Sequence, residues 1–253
     1  MQGAERQQRI SQLVKEQGFV SLQWLVKQVK VSESTIRRDL DQLDKEGVLD
    51  RTHGGASYRG PAPMLGLEER LNVAAEEKTQ IARATSKLIA DGQTIILNGG
   101  STTYFVAGQL AQRRLQVVSN SLPIATLLAG APGIELILIG GSLYRPTAVT
   151  LGPMAVRMIE QLHCELLVMG AAGLTENGLY NANVLLVEID RAMIRAASRV
   201  AVVLDSSKIG KPAISHMVGW DAIDVLITDS AVKSEHRKMI ESHGIELVVA
   251  GEA

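Results

Sequence analysis

Ser32-Glu33-Ser34-Thr35-Ile36-Arg37-Arg38-Asp39-Leu40-Asp41-Gln42-Leu43 begins with a good helix-capping residue and then places Ile36, Leu40 and Leu43 at four- and three-residue steps. The pattern predicts a helix entered at Ser32, with one apolar face, that stops by Gly47. Ser34, Thr35, Arg37 and Arg38 then fall on its exposed first turns. Just upstream, Ser21 caps another helix, with Leu22, Leu25, Val26 and Val29 on one side, and only Lys30-Val31 separates it from Ser32. Ile10, Leu13 and Val14 mark an earlier helix. Two capped helices joined by so short a turn make a helix-turn-helix, whose second helix lies in the major groove of DNA. Arginine reaches guanine O6 and N7 or grips a phosphate, while serine and threonine hydroxyls and the first backbone amides of a helix suit phosphate oxygens. Ser32, Ser34, Thr35, Arg37 and Arg38 are therefore the expected DNA contacts. Val48 to Ala56 alternates as a strand and ends in the Gly54-Gly55 turn, a wing whose Arg51 and His53 would touch the adjacent backbone or minor groove. A solvated helical hairpin with a surface arginine pair is the plainer reading; the ordered combination of caps, turn, arginines and basic wing favours DNA.

The head is a small part of 253 residues, a length that makes one large domain or two smaller ones. Apolar residues make up 46% and charged residues 21%, with only eight aromatics, so Leu, Ile, Val and Ala must build the core and disorder is excluded. One cysteine, Cys164, excludes an internal disulfide and points to a reducing compartment, the cytoplasm by default. The N-terminus meets charge at once and offers no signal peptide. The longest uncharged stretch, Leu115 to Ile134, is broken by Asn120, Pro123 and Pro132, so no membrane span is expected. Net charge is −1; residues 1–60 hold ten Lys/Arg against eight Asp/Glu and the remainder sixteen against nineteen, which fits a modestly basic head on an acidic body.

Tyr58-Arg59-Gly60-Pro61-Ala62-Pro63-Met64-Leu65-Gly66 has two prolines, two glycines and no apolar period, and reads as a linker. The expected organisation is a winged helix-turn-helix over 1–57, a linker over 58–75 and a body over 76–253. In the body, short apolar runs (Thr94–Leu97, Gln116–Val118, Glu135–Ile139, Glu165–Met169, Val200–Leu204, Val225–Thr228, Glu246–Val249) alternate with helix-like segments (Lys78–Ala90, Thr102–Gln112, Leu122–Leu128, Val187–Ala197, Ser234–His243). That is the pattern of βαβ units on a mostly parallel sheet, an α/β fold. After the first run comes Asn98-Gly99-Gly100-Ser101-Thr102-Thr103, where a glycine turn and a hydroxyl-rich helix start gather backbone N–H groups around one point and form an anion cradle. The loop is neither familiar nucleotide motif: GxG is absent, and the one Gly-Lys pair, Gly210-Lys211, is followed by Pro212. A plain capped turn is the competing reading. Asn120-Ser121, Gly140-Gly141 with Arg145, Gly170 to Gly173, and Asp205-Ser206-Ser207-Lys208 follow other runs. Open parallel sheets bind ligands at the carboxyl ends of their strands, so these turns should converge on one crevice suited to a small phosphorylated ligand, with Lys208 or Arg145 countering its charge.

The string Ser34 to Leu43, followed by Arg51-Thr52-His53-Gly54-Gly55-Ala56, resembles the winged helix-turn-helix of the DeoR family of bacterial sugar-responsive regulators. Asp50 departs from it, standing where relatives often carry an apolar or basic residue. Gly100 to Thr103, Ser119-Asn120, Gly140-Gly141, Gly170 with Gly173, and Asp205 to Lys208 stand in the order of the DeoR sensor domain, which is similar to ribose-5-phosphate isomerase-type folds. The resemblance spans almost the whole chain and implies a repressor of a carbohydrate operon, gated by a phosphorylated sugar or sugar-acid effector. Asn98 stands where relatives commonly have Asp, and Leu186 where many have an acidic residue, with Glu188 two positions later. These departures imply an effector with a carboxylate or a different hydroxyl pattern, as in branches similar to the ascorbate-phosphate regulator.

The rival class is a phosphosugar isomerase-like enzyme carrying a DNA-binding head. Isomerisation needs a base at the crevice, and the obvious positions are amide or aliphatic, leaving Glu176 and Glu188. GxSxG and HExxH are absent, and His236 and His243 share one C-terminal helix. No catalysis, cofactor or metal is expected. The partners are double-stranded operator DNA, the effector and, because one head reads only a short half-site, a second or further copies in a homodimer or homotetramer held mainly by the body.

Overall fold

The computed structural model describes residues 3–17, 19–52, 54–58 and 66–251. Contacts divide the chain into two compact units, Met1–Leu65 and Gly66–Ala253.

The first unit runs α1 (Gly3–Gln17), β1 (Phe19–Ser21), α2 (Leu22–Val29), α3 (Glu33–Lys45), β2 (Leu49–Thr52) and β3 (Gly55–Tyr58). The Ser21 hydroxyl accepts the Trp24 N–H and the Ser32 hydroxyl accepts the Thr35 N–H, so both predicted caps are made. Lys30 ends α2 in the left-handed region at φ 57°, making the sharp turn into α3 without a glycine. Ile10, Val14, Leu25, Ile36, Leu40 and Leu49 close the core. The wing is larger than the sequence suggested: β1 joins it, giving the antiparallel order β1-β3-β2. Gly55 is required there, since a Cβ would lie 1.9 Å from the Val20 carbonyl oxygen. The wing extends to Tyr58, one residue into the segment read as linker, and that segment also holds α4 (Leu67–Asn72) and the first residue of α5 (Ala75–Lys87). Residues 59–65 lie outside the described residues.

After α5 the second unit continues through β4 (Thr94–Leu97), α6 (Ser101–Leu110), β5 (Leu115–Ser119), α7 (Leu122–Leu128) and β6 (Ile134–Leu138). A hairpin, β7 (Ser142–Tyr144) and β8 (Val149–Leu151), precedes α8 (Pro153–Glu160) and β9 (Leu166–Met169). Next come β10 (Gly173–Thr175), β11 (Gly178–Asn181), α9 (Val184–Arg195), β12 (Val200–Val203), β13 (Ser215–Val218), β14 (Val225–Asp229), α10 (Ser234–Ser242) and β15 (Glu246–Ala250). All seven expected runs form one parallel sheet, ordered β15-β14-β12-β9-β4-β5-β6. Side chains alternate between its faces. Ile95, Leu97, Val117, Val168 and Val203 pack on α5, α6 and α7, while Ile96, Val118, Leu167, Met169 and Val202 pack on α8 and α9. Burial on both faces is why these strands read as continuous apolar runs. Order reverses between β4 and β9: the chain steps from β4 outward to β5 and β6, then returns to β9 on the other side. In open parallel sheets the carboxyl ends of the strands at such a switch point are where a ligand crevice is expected. Among the described residues no helix is long and apolar enough to cross a membrane.

Candidate functional site

On the head, the first turns of α3 are exposed as expected. Ser32, Ser34, Arg37 and Arg38 are exposed, and Thr35 is half-buried. The Ser32 hydroxyl lies 2.9 Å from that of Ser34 and 2.8 Å from that of Thr35, a polar cluster at the helix N-terminus. Arg37 donates to Glu33 one turn back, at 2.6 and 3.0 Å. Arg38 has no side-chain partner among the described residues. Arg51 in β2 pairs with Asp41, and its N–H donates to Asp44, so the wing is tied to α3. His53 lies outside the described residues. Sequence reasoning passed over Asp39, which is buried and accepts from Arg6 Nε at 2.6 Å and Nη2 at 3.2 Å, clamping α1 to α3. The bond to Asp39 raises the Arg6 guanidinium above its ordinary value.

In the body, Asn98 sits at the switch point itself. Its Oδ1 accepts the Gly170 N–H at 3.0 Å and its Nδ2 donates to the Gly170 carbonyl at 3.2 Å, joining the ends of β4 and β9. Nδ2 also donates to Asp190 Oδ1, and Asn181 Nδ2 donates to Asp190 Oδ2 at 2.7 Å. Burial pushes the Asp190 carboxyl up to about 6, against the pull of these two amides. Asn98 thus knits the crevice walls, and Asp190 is a residue the sequence reading did not single out.

The loop after β4 divides its work. A Cβ on Gly99 would stand 2.1 Å from Val149 Cγ1, so that glycine is needed where the β7–β8 hairpin closes over the loop. Thr103 donates its hydroxyl to the Asn98 carbonyl at 2.8 Å and holds the turn. Ser101 and Thr102, buried in the first turn of α6, make no side-chain hydrogen bond among the described residues. Across β5, Asn120 donates to the Thr150 carbonyl at 2.9 Å, and its buried Oδ1 has no partner. Ser121 caps α7 through the Ile124 N–H.

The remaining candidates separate. Lys208 lies in a single 3-10 turn after β12, 3.2 Å from Asp205. Gly140 and Gly141 follow β6, where Gly141 makes its turn at φ 146° against the Leu151 backbone. Arg145 is exposed on the β7–β8 turn, with no interaction bringing it to the other strand ends. Gly173 is explained by packing: its Cβ would lie 2.1 Å from the Lys211 carbonyl oxygen.

Two cations join the site unannounced. Lys78 on α5 is 2% exposed, and its ammonium donates to the carbonyls of Arg70, at 2.5 Å, and Val73. Burial first, then repulsion from Lys208 and Arg70, brings it down to about 8, although Asp205 works the other way. Burial also lowers the Arg70 guanidinium, whose Nε and Nη2 are buried without a partner. For Asp205, burial would raise the carboxyl, but Lys208, the Ser207 hydroxyl and Lys78 outweigh it and hold it below its ordinary value. Lys78 and Lys208 face Asp205, Arg70 stands beside Lys78, and Glu77 acts on Lys78 only weakly, so cations outnumber carboxylates in a partly desolvated place. The arrangement can hold an anion.

A DeoR-like helix-turn-helix domain matches residues 6–61, and a DeoR C terminal sensor domain matches residues 73–230. Curated relatives include the HTH-type transcriptional regulator UlaR of Shigella dysenteriae and of Escherichia coli, each 28% identical over 98% of this chain and 99% of theirs. Among solved structures, the chain is similar to ribose 5-phosphate isomerase A of Methanocaldococcus jannaschii (TM-score 0.40, 17% identity, 54% of this chain and 55% of that one). It is also similar to a Pyrococcus horikoshii translation initiation factor eIF-2B (TM-score 0.48, 15% identity, 88% and 94%).

Proposed function

We propose that this chain, which belongs to the DeoR family of DNA-binding transcriptional regulators, represses a carbohydrate-utilisation operon and adjusts its hold on operator DNA to a phosphorylated sugar or sugar acid bound in its sensor domain. The observation that carries the reading is the cationic cluster in which Lys78 and Lys208 face Asp205 and Arg70 stands beside Lys78. A phosphate of charge near −2 supplies what that cluster lacks, and its oxygens suit the N–H groups and free hydroxyls of Ser101 and Thr102 at the start of α6. The sugar would extend along the switch-point crevice, where Asn120 offers an unpaired Oδ1 to a hydroxyl.

DeoR-family regulators are not enzymes, and the place of Asp190 at the switch point accords with that. Both oxygens of Asp190 are occupied by the amides of Asn98 and Asn181, so it is placed to hold the walls together. Glu176 and Glu188, the two bases considered from sequence, are both exposed, the first on the turn between β10 and β11 and the second on α9. On the head, Arg38 has no side-chain partner among the described residues and Arg37 is held by an exposed ion pair, so both are placed to meet DNA, with Arg51 steadied against α3 by Asp41.

Calorimetric titration of the full chain with sugar phosphates and their dephosphorylated counterparts tests the reading. The phosphates should bind at least about a hundredfold more tightly, the loss of two charged hydrogen bonds being worth about 3 kcal/mol or more. Equal affinities would move the ligand site away from the cluster.

A further inference from the structure

Helix α4 is the first described element of the second unit, starting one residue past the division between the two units. It is poorly secured for its position. Leu67, Arg70 and Leu71 are half-buried and no residue of the helix is fully buried, so apolar packing holds it only in part. Its first turn is tied by the Gly66 N–H donating to Glu69 at 2.9 Å and by the Arg70 N–H donating to the Gly66 carbonyl at 3.1 Å. It connects to α5 through Ala74, held in the left-handed region at φ 51° and ψ 44°, a conformation that is unfavourable for a residue with a Cβ. Lys78 anchors its far end by donating to the Arg70 and Val73 carbonyls.

Against this weak attachment stands Arg70, whose Nε and Nη2 are buried with nothing to accept from them. A buried donor left unmade is costly, and more so on a charged group. Arg70 also repels Lys78, the residue that anchors its own helix. One missing partner would remove both penalties: an anion with at least two acceptor oxygens. It would take the two guanidinium N–H bonds in a fork and neutralise the repulsion between Arg70, Lys78 and Lys208.

We infer that Arg70 is an anion-binding residue of the sensor domain and that the bound anion fastens α4 to α5 and α6, so that occupancy of the ligand site is reported at the point where the chain arrives from the DNA-binding head. The inference rests on the anion-site reading above and adds a residue and a direction to it. A ligand that only fills the crevice would be silent at α4, whereas one gripped by Arg70 favours the fastened state by its differential affinity. The recognised chemistry is a phosphate or similar tetrahedral oxyanion.

Hydrogen–deuterium exchange on the full chain, with inorganic phosphate as the probe and melting temperature read in parallel, tests this. Saturating phosphate should raise the melting temperature and slow exchange of amides 67–72 by about tenfold or more. Arg70→Gln should bind phosphate more weakly yet, at saturation, still show a raised melting temperature with no slowing at 67–72. Arg70→Lys, which keeps the charge and loses the fork, should fall between. If phosphate raises the melting temperature and protects residues 99–103 while 67–72 exchange as before, the anion site stands and its coupling to α4 is refuted. If phosphate changes neither quantity anywhere, the anion site itself is refuted and this inference falls with it.

Discussion

Arg37 and Arg38 are adjacent in sequence and differ in what each gives up to touch DNA. Arg37 must release Glu33, an exposed pair one turn away and worth about 0.3–0.5 kcal/mol, whereas Arg38 has nothing to release among the described residues. Arg38→Ala should therefore cost the full 1–3 kcal/mol or so of a base contact, or lower the salt slope by about one if it meets a phosphate. Arg37→Ala should cost somewhat less. Fluorescence anisotropy on operator DNA at several salt concentrations measures both, and an unchanged affinity and slope in the double variant would remove α3 from the interface. Lys78 carries a second prediction. Its folded value of about 8 means the free protein sheds that proton above pH 8, while a bound anion retains it. Phosphate affinity should accordingly fall as pH rises past about 8, by up to about tenfold per unit, with proton uptake visible in buffers of different ionisation enthalpy. Asp190 gives the opposite kind of test, on stability. Its value near 6 lies above the unfolded value near 4, so the folded state binds the extra proton between them. Stability should fall by about 3 kcal/mol as pH rises from about 4 to about 6 and level off above, a dependence that Asp190→Asn removes. Neither residue stood out in the sequence. Lys78 reads as one more lysine on an amphipathic helix, and only packing of α4 and the β12 turn buries it. Glu188 looked like the acidic residue of α9, but the turn per residue of the helix directs Glu188 outward and Asp190 into the crevice.

At the level of elements, legibility followed burial. The seven parallel strands are covered on both faces and announce themselves as apolar runs, so their positions came out within a residue or so. The short antiparallel pieces did not: β7 spans only Ser142–Tyr144 and is largely exposed, and β10, β11 and β13 pair with one another away from the main sheet. Their existence depends on partners distant in the chain, which a local pattern cannot supply. Two glycines of the strand-end turns have packing roles that the sequence hid for a similar reason. Gly99 and Gly173, taken as members of ligand loops, are explained by backbone or hairpin packing within about 2 Å of where a Cβ would sit, whereas Gly100, with its nearest neighbour a threonine hydroxyl 3.0 Å away, is free to serve the α6 cradle. The wing gives the sharpest test of this kind. Gly55→Ala would drive a Cβ into the Val20 carbonyl, so β3 must separate from β1. The head should lose DNA affinity and melt at lower temperature while the sensor domain binds its ligand unchanged; circular dichroism melting with a parallel ligand titration distinguishes the two units.

The molecule as a whole joins a DNA-reading head to a ligand-reading sheet through residues that are neither, and the account depends on the two being coupled. The division at Leu65 and Gly66 lies within the Pro/Gly stretch that the sequence marked; β3 ends on its first residue, Tyr58, and α4 starts just after its last, Gly66. Assembly belongs to this scale too. A single head contacts a short half-site, so we expect a dimer or tetramer held by the sensor domain, and light scattering that reports a monomer at micromolar concentration, with and without DNA, would remove that expectation. Coupling itself calls for one comparison: affinity for operator DNA, selected by the protein from a random pool, with and without the sugar phosphate that most raises the melting temperature, in the wild-type chain and in Lys208→Ala. The account predicts a change of about tenfold or more in the wild type, and a Lys208→Ala protein that holds DNA as the free wild type does and ignores the ligand. A Lys208→Ala protein that still responds to the sugar phosphate as the wild type does would contradict it.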